Sequence, residues 1–85
     1  MRLKKVQDIL KHNCLDYRYS EEDGCGSIDF LFRGISYHIW EFADGAVWGA
    51  ETNLRNSSRP EDLEGDYEEQ IAAILLEWPG MECPE

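Results

Sequence analysis

The segment that most constrains the fold is residues 27–54, an aromatic-rich stretch interrupted by two glycine-containing turns. Apolar and polar residues alternate through it, as is typical of strands with one buried face. Asp44-Gly45 is favoured in two-residue hairpins, whereas Arg33-Gly34 is less favoured because its arginine would need a positive φ. The segment therefore predicts a three-stranded antiparallel meander.

The two turns also predict the strand register. A simple two-residue turn at Arg33-Gly34 places Phe30 opposite Tyr37, and a bulged turn with Gly34 left-handed is the alternative there. A turn at Asp44-Gly45 places Ala43 opposite Ala46. A one-residue slip would move apolar side chains to the polar face, so the hydrophobic pattern supports this pairing. The predicted core face carries Ile28, Phe30, Phe32, Ile35, Tyr37, Ile39, Trp48, Ala50 and Leu54.

Helical periodicity flanks the meander on both sides. Apolar residues recur at helical spacing over residues 3–12, with Asn13 as the expected left-handed cap. A second helix is predicted to begin at Asp66, with Glu69 as a capping-box partner, and to end at Pro79-Gly80.

The remaining segments complete an α+β fold. Residues 15–19 alternate like an additional strand, and residues 55–65 are predicted to be a polar connection. We expect one domain over residues 1–80 and a frayed tail over residues 81–85. The predicted order is an N-terminal helix, a three- to four-stranded antiparallel meander and a C-terminal helix, with both helices on one sheet face.

The charge of the chain limits its partners. Eighteen acidic residues against eight basic ones give a net charge of -10, which repels phosphate backbones and anionic lipid. We therefore expect no direct binding of nucleic acid or membranes, and a basic protein partner fits better. No apolar run reaches the ~20 residues of a membrane span.

Cysteine spacing and the N-terminal sequence indicate a reduced cytoplasmic protein. Cys14, Cys25 and Cys83 form no regular disulfide or zinc-binding pattern, and no cofactor motif is recognisable, so no cofactor is predicted. The first residues lack the long apolar stretch of a secretory signal.

The second face of the predicted sheet contains a polar constellation. The two registers place His38 on the middle strand, between Asp29 and Glu51. An imidazole between two carboxylates could act as a general base or bind a divalent metal. The alternative is ordinary charge complementation on a solvated surface.

An apolar cluster lies on the same predicted face. In the predicted register Trp40 opposes Gly49 and Phe42 opposes Val47, away from the core. Uncovered aromatic residues indicate a partner, a ligand or a dimer contact. Alternatively, residues 55–65 or the tail cover them.

The order of helix, three strands and helix resembles the double-stranded RNA-binding domain in element order. That family holds phosphates with basic residues at the N-terminus of its second helix. Here residues 64–69 read Glu-Gly-Asp-Tyr-Glu-Glu, so the charge is reversed. The resemblance therefore does not imply the RNA-binding activity.

The sequence favours a small, acidic, non-enzymatic protein-interaction module with either a foreign protein or a second copy as its partner. One alternative is the metal or acid–base site at Asp29, His38 and Glu51, and another is an acidic decoy for a basic nucleic-acid-binding protein. The predicted binding surface consists of His38, Trp40, Phe42, Val47 and Glu51.

Overall fold

A computed structural model describes residues 1–83 of the chain. The five strands of this part form one antiparallel sheet in sequential order, and two helices flank them in the chain. The predicted α+β class is confirmed, although the sheet has five strands rather than three or four. The elements are α1 (Lys4–His12), β1 (Tyr17–Glu22), β2 (Cys25–Phe32), β3 (Ile35–Asp44), β4 (Val47–Thr52), β5 (Glu61–Glu64) and α2 (Tyr67–Leu76).

The core lies between one face of the sheet and the two helices, which contact each other. Apolar positions of α1 and α2 meet the alternate inward residues of β2, β3 and β4, as the separation of faces predicts. The fully buried apolar side chains are Val6, Ile9, Leu10, Ile28, Ile39, Ala50, Ile71 and Leu75.

The ends of the predicted core face are less buried than expected. Trp48 is 41% exposed because it lies beside the β3–β4 turn, where the guanidinium of Arg2 stacks on its ring at 5.0 Å. Ile35, at the other end, is also exposed. Between them, Phe30 and Tyr37 pack against Trp78.

The β2–β3 register is the predicted one. Phe32 lies opposite Ile35, and Phe30 lies opposite Tyr37. Arg33 and Gly34 both have positive φ, 53° and 81°, as a type I′ hairpin turn requires. The arginine therefore takes the unfavourable conformation that the sequence implied.

The predicted β3–β4 register is wrong. The turn residues are Gly45 and Ala46, so that Asp44 lies opposite Val47 and Ile39 lies opposite Thr52. This turn puts the positive φ, 63°, on glycine instead of Asp44. The pairing differs from the prediction by two residues, and every side chain keeps its predicted face.

Residues 55–65 are not only a connection, because residues 61–64 form β5 beside β4. Leu63 is the one apolar residue of this strand and is buried, while its neighbours are acidic. Arg55 pairs with Glu61 and helps to position the start of the strand. The prediction missed β5 because one apolar residue in four gives no measurable alternation.

The helix caps also differ from the prediction. Asp66 makes no side-chain capping hydrogen bond at the start of α2. Glu69 instead accepts from Lys5 Nζ at 2.7 Å, and Glu68 accepts from the Lys5 main-chain N–H at 2.8 Å. Glu69, expected to cap α2, therefore contacts the first turn of α1 together with Glu68.

The residues after α2 contact the body of the domain. Met81 packs against the core, and Glu82 exchanges hydrogen bonds with the side chain of Asn13 at 3.1 and 3.3 Å. The fraying expected for residues 81–85 stays a prediction, and residues 84–85 lie outside the described part. Within residues 1–83, neither helix has the length and apolar character needed to cross a membrane.

Candidate functional site

The candidate site is the sheet face opposite the helices, called the open face here. Within residues 1–83, Leu31, Trp40 and Val47 on this face are 62%, 42% and 46% exposed, and Phe42 is half-buried. The segment after β4 does not fold over them. By strand register the open face carries Asp29, Leu31, Ser36, His38, Trp40, Phe42, Val47, Gly49, Glu51, Asp62 and Glu64.

The Trp40 ring is held in place from two sides. Its Nε1–H donates a hydrogen bond of 3.2 Å to Asp29 Oδ1. His38, two residues earlier on the same strand face, stacks on the indole with 4.1 Å between ring centroids and 30° between planes. The indole is therefore oriented while remaining exposed.

His38 contacts one of its two predicted carboxylates. Asp29 lies opposite it as predicted, and Glu51 lies opposite Trp40 instead. Glu51 still reaches His38 diagonally, with 3.1 Å between Oε2 and Nε2. The structure thus brings His38 and Glu51 together and turns Asp29 toward the indole.

The main chain around His38 is fixed by the Asn53 side chain. Asn53 accepts from the His38 main-chain N–H at 2.8 Å and donates to the carbonyls of Ser36 and Ser57, each at 3.1 Å. The amide continues the hydrogen bonding of β3 where regular β4 pairing ends. Within residues 1–83 no three His, Cys, Asp or Glu side chains are arranged to hold a metal ion.

Phe42 lies across Gly49, its partner on β4. A Cβ on Gly49 would come within 2.6 Å of Phe42 Cζ and 2.6 Å of the Leu63 carbonyl oxygen. Only glycine fits this close approach of an aromatic ring and a neighbouring strand. The missing side chain lets the Phe42 ring form one wall of a shallow depression.

That depression has a volume of about 440 Å³ and lies between Trp40 and Phe42. Glu51 and Asp62 line it, together with residue Glu41, whose carboxylate is bound to Arg2 and Tyr67 on the other face. Trp40, Glu51 and Asp62 occupy one row across β3, β4 and β5. Two carboxylates are therefore directly opposed beside an exposed indole.

On the helix-covered face, Glu41 is a buried carboxylate that the sequence interpretation missed. Its side chain accepts hydrogen bonds from the Gly26 N–H at 2.8 Å, from Arg2 Nε and Nη2 at 3.0 Å, and from the Tyr67 hydroxyl. It joins the N-terminal residues, two strands and α2. The sequence did contain a signal for its burial. Glu41 is two residues after Ile39 in β3, and residues two apart in a strand face the same side of the sheet.

The environment of Glu41 shifts two pKa values. Burial raises the pKa of the Glu41 carboxyl, but hydrogen bonds from Arg2, Tyr67 and Gly26 outweigh burial and hold it below its ordinary value. Burial and the hydrogen bond to Glu41 raise the pKa of Tyr67 to about 12. All buried side-chain N and O atoms in residues 1–83 have hydrogen-bond partners, which is typical of a structural network.

Comparison with protein-family models, curated proteins and solved structures yields no match.

A second depression lies beside α2, outside the open face. Its volume is about 650 Å³, and its lining includes Leu54, Arg55, Ile74 and Trp78. Trp78 also packs on Phe32, with 5.0 Å between ring centroids, so that this tryptophan completes the core. The open face differs because its apolar side chains are not needed to close the core.

Proposed function

We propose that this protein is a small non-enzymatic interaction module that binds a partner protein through its open face. The observation that carries the proposal is the exposure of Trp40 and Val47 on a sheet face without a covering layer. Oriented, exposed aromatic side chains are enriched at protein interfaces. The hydrogen bond to Asp29 and the stacking of His38 reduce the ordering cost of binding at Trp40.

Charge favours a foreign partner over a second copy. Face-to-face pairing would bring the carboxylates of Glu51, Asp62 and Glu64 close to those of the other copy, and the whole chain carries a charge of -10. Like charges across an interface oppose association. The same negative charge would attract a partner with basic residues.

The proposal includes a cytoplasmic location, which the free thiols of Cys14, Cys25 and Cys83 favour. The negative charge continues to disfavour direct contact with nucleic acid or anionic membranes. The partner class that remains is a protein with a basic, partly apolar segment.

Acid–base chemistry at His38 is a second candidate, supported by the 3.1 Å contact with Glu51. It predicts that a proton-transfer activity is lost in His38→Gln and Glu51→Gln variants. The metal version predicts that His38 ring resonances shift when micromolar zinc or manganese is added. The acidic-decoy alternative predicts salt-sensitive binding of a basic protein that does not depend on Trp40.

Selection of peptides from a random library, followed by mapping on the protein, tests the proposal. Peptides selected on the wild type should shift the amide resonances of residues 38–42, 47–51 and 61–64 in ¹⁵N spectra. The proposal would be contradicted if the peptides instead shifted amide resonances of residues around Ile74, in the α2 depression, or along the exposed edge of β1.

A matched pair of tryptophan variants sharpens this experiment. Trp40 and Trp48 are 42% and 41% exposed but lie on opposite faces. Trp40→Ala should abolish binding, while Trp48→Ala should retain it, with amide spectra showing that both variants are folded. Equal loss in both variants would contradict binding through the open face.

A further inference from the structure

We infer that the depression between Trp40 and Phe42 receives an arginine side chain of the partner protein. The inference rests on the proposed function and specifies the chemistry of the residue that is recognised. Two aromatic rings, two opposed carboxylates and an open volume converge there.

The aromatic walls suit a flat cation. Trp40 keeps its indole exposed while Asp29 and His38 fix its orientation. The tip of the Phe42 ring lies against Gly49, and open space remains between this ring and Trp40. A guanidinium is planar and delocalised, and it stacks on aromatic faces more readily than a hydrated ammonium does.

The carboxylates supply the opposite charge. Glu51 and Asp62 are direct cross-strand partners, and like charges in that position destabilise a sheet. Within residues 1–83, Asp62 takes part in no ion pair or side-chain hydrogen bond, and the polar partner of the Glu51 carboxylate is the imidazole of His38. A bound cation would relieve this repulsion.

None of the protein's five arginines forms an ion pair with Glu51 or Asp62 within residues 1–83. Arg2 is bound to Glu41 on the other face, and Arg55 is bound to Glu61. Arg18 lies on β1, opposite Asp29 and separated from β5 by three strands. The charge at Glu51 and Asp62 is therefore available to an external arginine.

Arginine fits the geometry better than lysine. Opposed side chains on neighbouring strands have Cβ atoms roughly 4.5–5.5 Å apart, which allows one guanidinium fork to donate to both carboxylates. An ammonium could meet the carboxylates but would lose the stacking contact with the indole. The structure therefore favours an arginine flanked by apolar residues.

Titration of the ¹⁵N-labelled protein with short blocked peptides tests the inference. The probes are acetyl-Gly-Arg-Gly-amide, its citrulline counterpart, which is uncharged and nearly isosteric, and its lysine counterpart. The arginine peptide should shift the Trp40 indole N–H and the amides of Glu51 and Asp62 saturably. The citrulline peptide should not shift them, and the lysine peptide should bind more weakly.

Charge-matched variants separate a local effect from general attraction. Asp62→Asn should weaken binding of the arginine peptide about two- to fivefold. Glu77→Gln removes the same charge from the end of α2, away from the open face, and should leave binding unchanged. Equal weakening in both variants would overturn the inference, because general electrostatic attraction would then explain the binding.

Two other outcomes are distinguishable. Citrulline binding at the same residues, as tight as arginine binding, would overturn the arginine assignment while leaving the open face as the interaction surface. Lysine binding as tightly as arginine would also overturn it. The proposed function fails by a different result: in the library experiment, the selected peptides would bind another part of the protein.

Discussion

At the residue scale, Cys14 occupies a position that usually belongs to glycine. Its φ is 58°, and its N–H donates to the Lys11 carbonyl while the Leu15 N–H donates to the Leu10 carbonyl. These are the two hydrogen bonds of a Schellman motif, with Cys14 as the left-handed residue. The expectation that Asn13 would be left-handed was wrong, since its φ is -93°.

Replacement of Cys14 by glycine should therefore stabilise the protein. We expect the free energy of unfolding to rise by about 0.5–1 kcal/mol, because glycine relieves the steric cost of a Cβ at positive φ. Urea denaturation measures the change. Cys14→Ala is the matched control, since it removes the thiol and keeps the Cβ, and an equal gain in that variant would refute the explanation.

Glu41 links stability to pH. Its pKa is lowered in the folded state, so its contribution is fully present above the unfolded-state value of about 4.5 and is lost as the pH falls through the folded-state pKa. Glu41→Gln should cost about 1–3 kcal/mol at neutral pH. The difference from wild type should shrink under acid conditions.

Urea denaturation at several pH values between about 7 and 3 tests this account of Glu41. Glu77→Gln serves as the control, since it removes an exposed carboxylate of equal charge from the end of α2. A constant difference between wild type and Glu41→Gln across this range would show that the carboxylate charge does not matter.

At the scale of elements, Gly49 determines how β4, β5 and the Phe42 ring fit together. Gly49→Ala should destabilise the protein by about 1–3 kcal/mol, because the new methyl group would overlap the Leu63 carbonyl oxygen and the Phe42 ring. Thermal or urea denaturation measures the loss.

The effect of Gly49→Ala should also be local. Amide resonances of residues 61–64 should shift more than those of β1, which lies at the other edge of the sheet. Ala50→Gly on the same strand is the comparison, because it removes a buried methyl group without creating a clash. A neutral effect of Gly49→Ala would contradict the close approach of these groups.

The predictability of each element followed the strength of its local pattern. Both helices have apolar residues at helical spacing, and the β2–β3 register is supported by apolar alternation in both strands. The β3–β4 turn was misplaced because Asp44-Gly45 and Gly45-Ala46 both form two-residue hairpins, and both registers keep the same residues facing inward. β5 depends on tertiary pairing around Leu63, which its own sequence hardly indicates.

At the scale of the whole molecule, the division of the sheet into a covered and an open face was predictable from alternation alone. That division placed Trp40, Phe42 and Val47 on the open face. The opposition of Glu51 and Asp62 was not predictable, because it requires both β5 and the corrected register. The Glu41 network likewise requires contacts between residues as distant in sequence as Arg2 and Tyr67.

The net charge also predicts the oligomeric state of the protein. With a net charge of -10 and carboxylates around Trp40, the protein should be a monomer at micromolar concentration and moderate salt. Light scattering coupled to gel filtration should give the monomer mass of 9.9 kDa for wild type and for Trp40→Glu. A wild-type dimer that Trp40→Glu dissociates would show that a second copy occupies the open face.

The central claim is that the open face is the binding surface, and the affinity of one selected peptide for two tryptophan variants tests it most directly. By calorimetry, the account predicts that Trp40→Ala weakens binding at least about tenfold, as expected for an aromatic residue at the centre of an interface. Trp48→Ala, equally exposed on the other side of the sheet, should bind like wild type. Unchanged affinity in Trp40→Ala, with weakened binding in Trp48→Ala, would contradict the account.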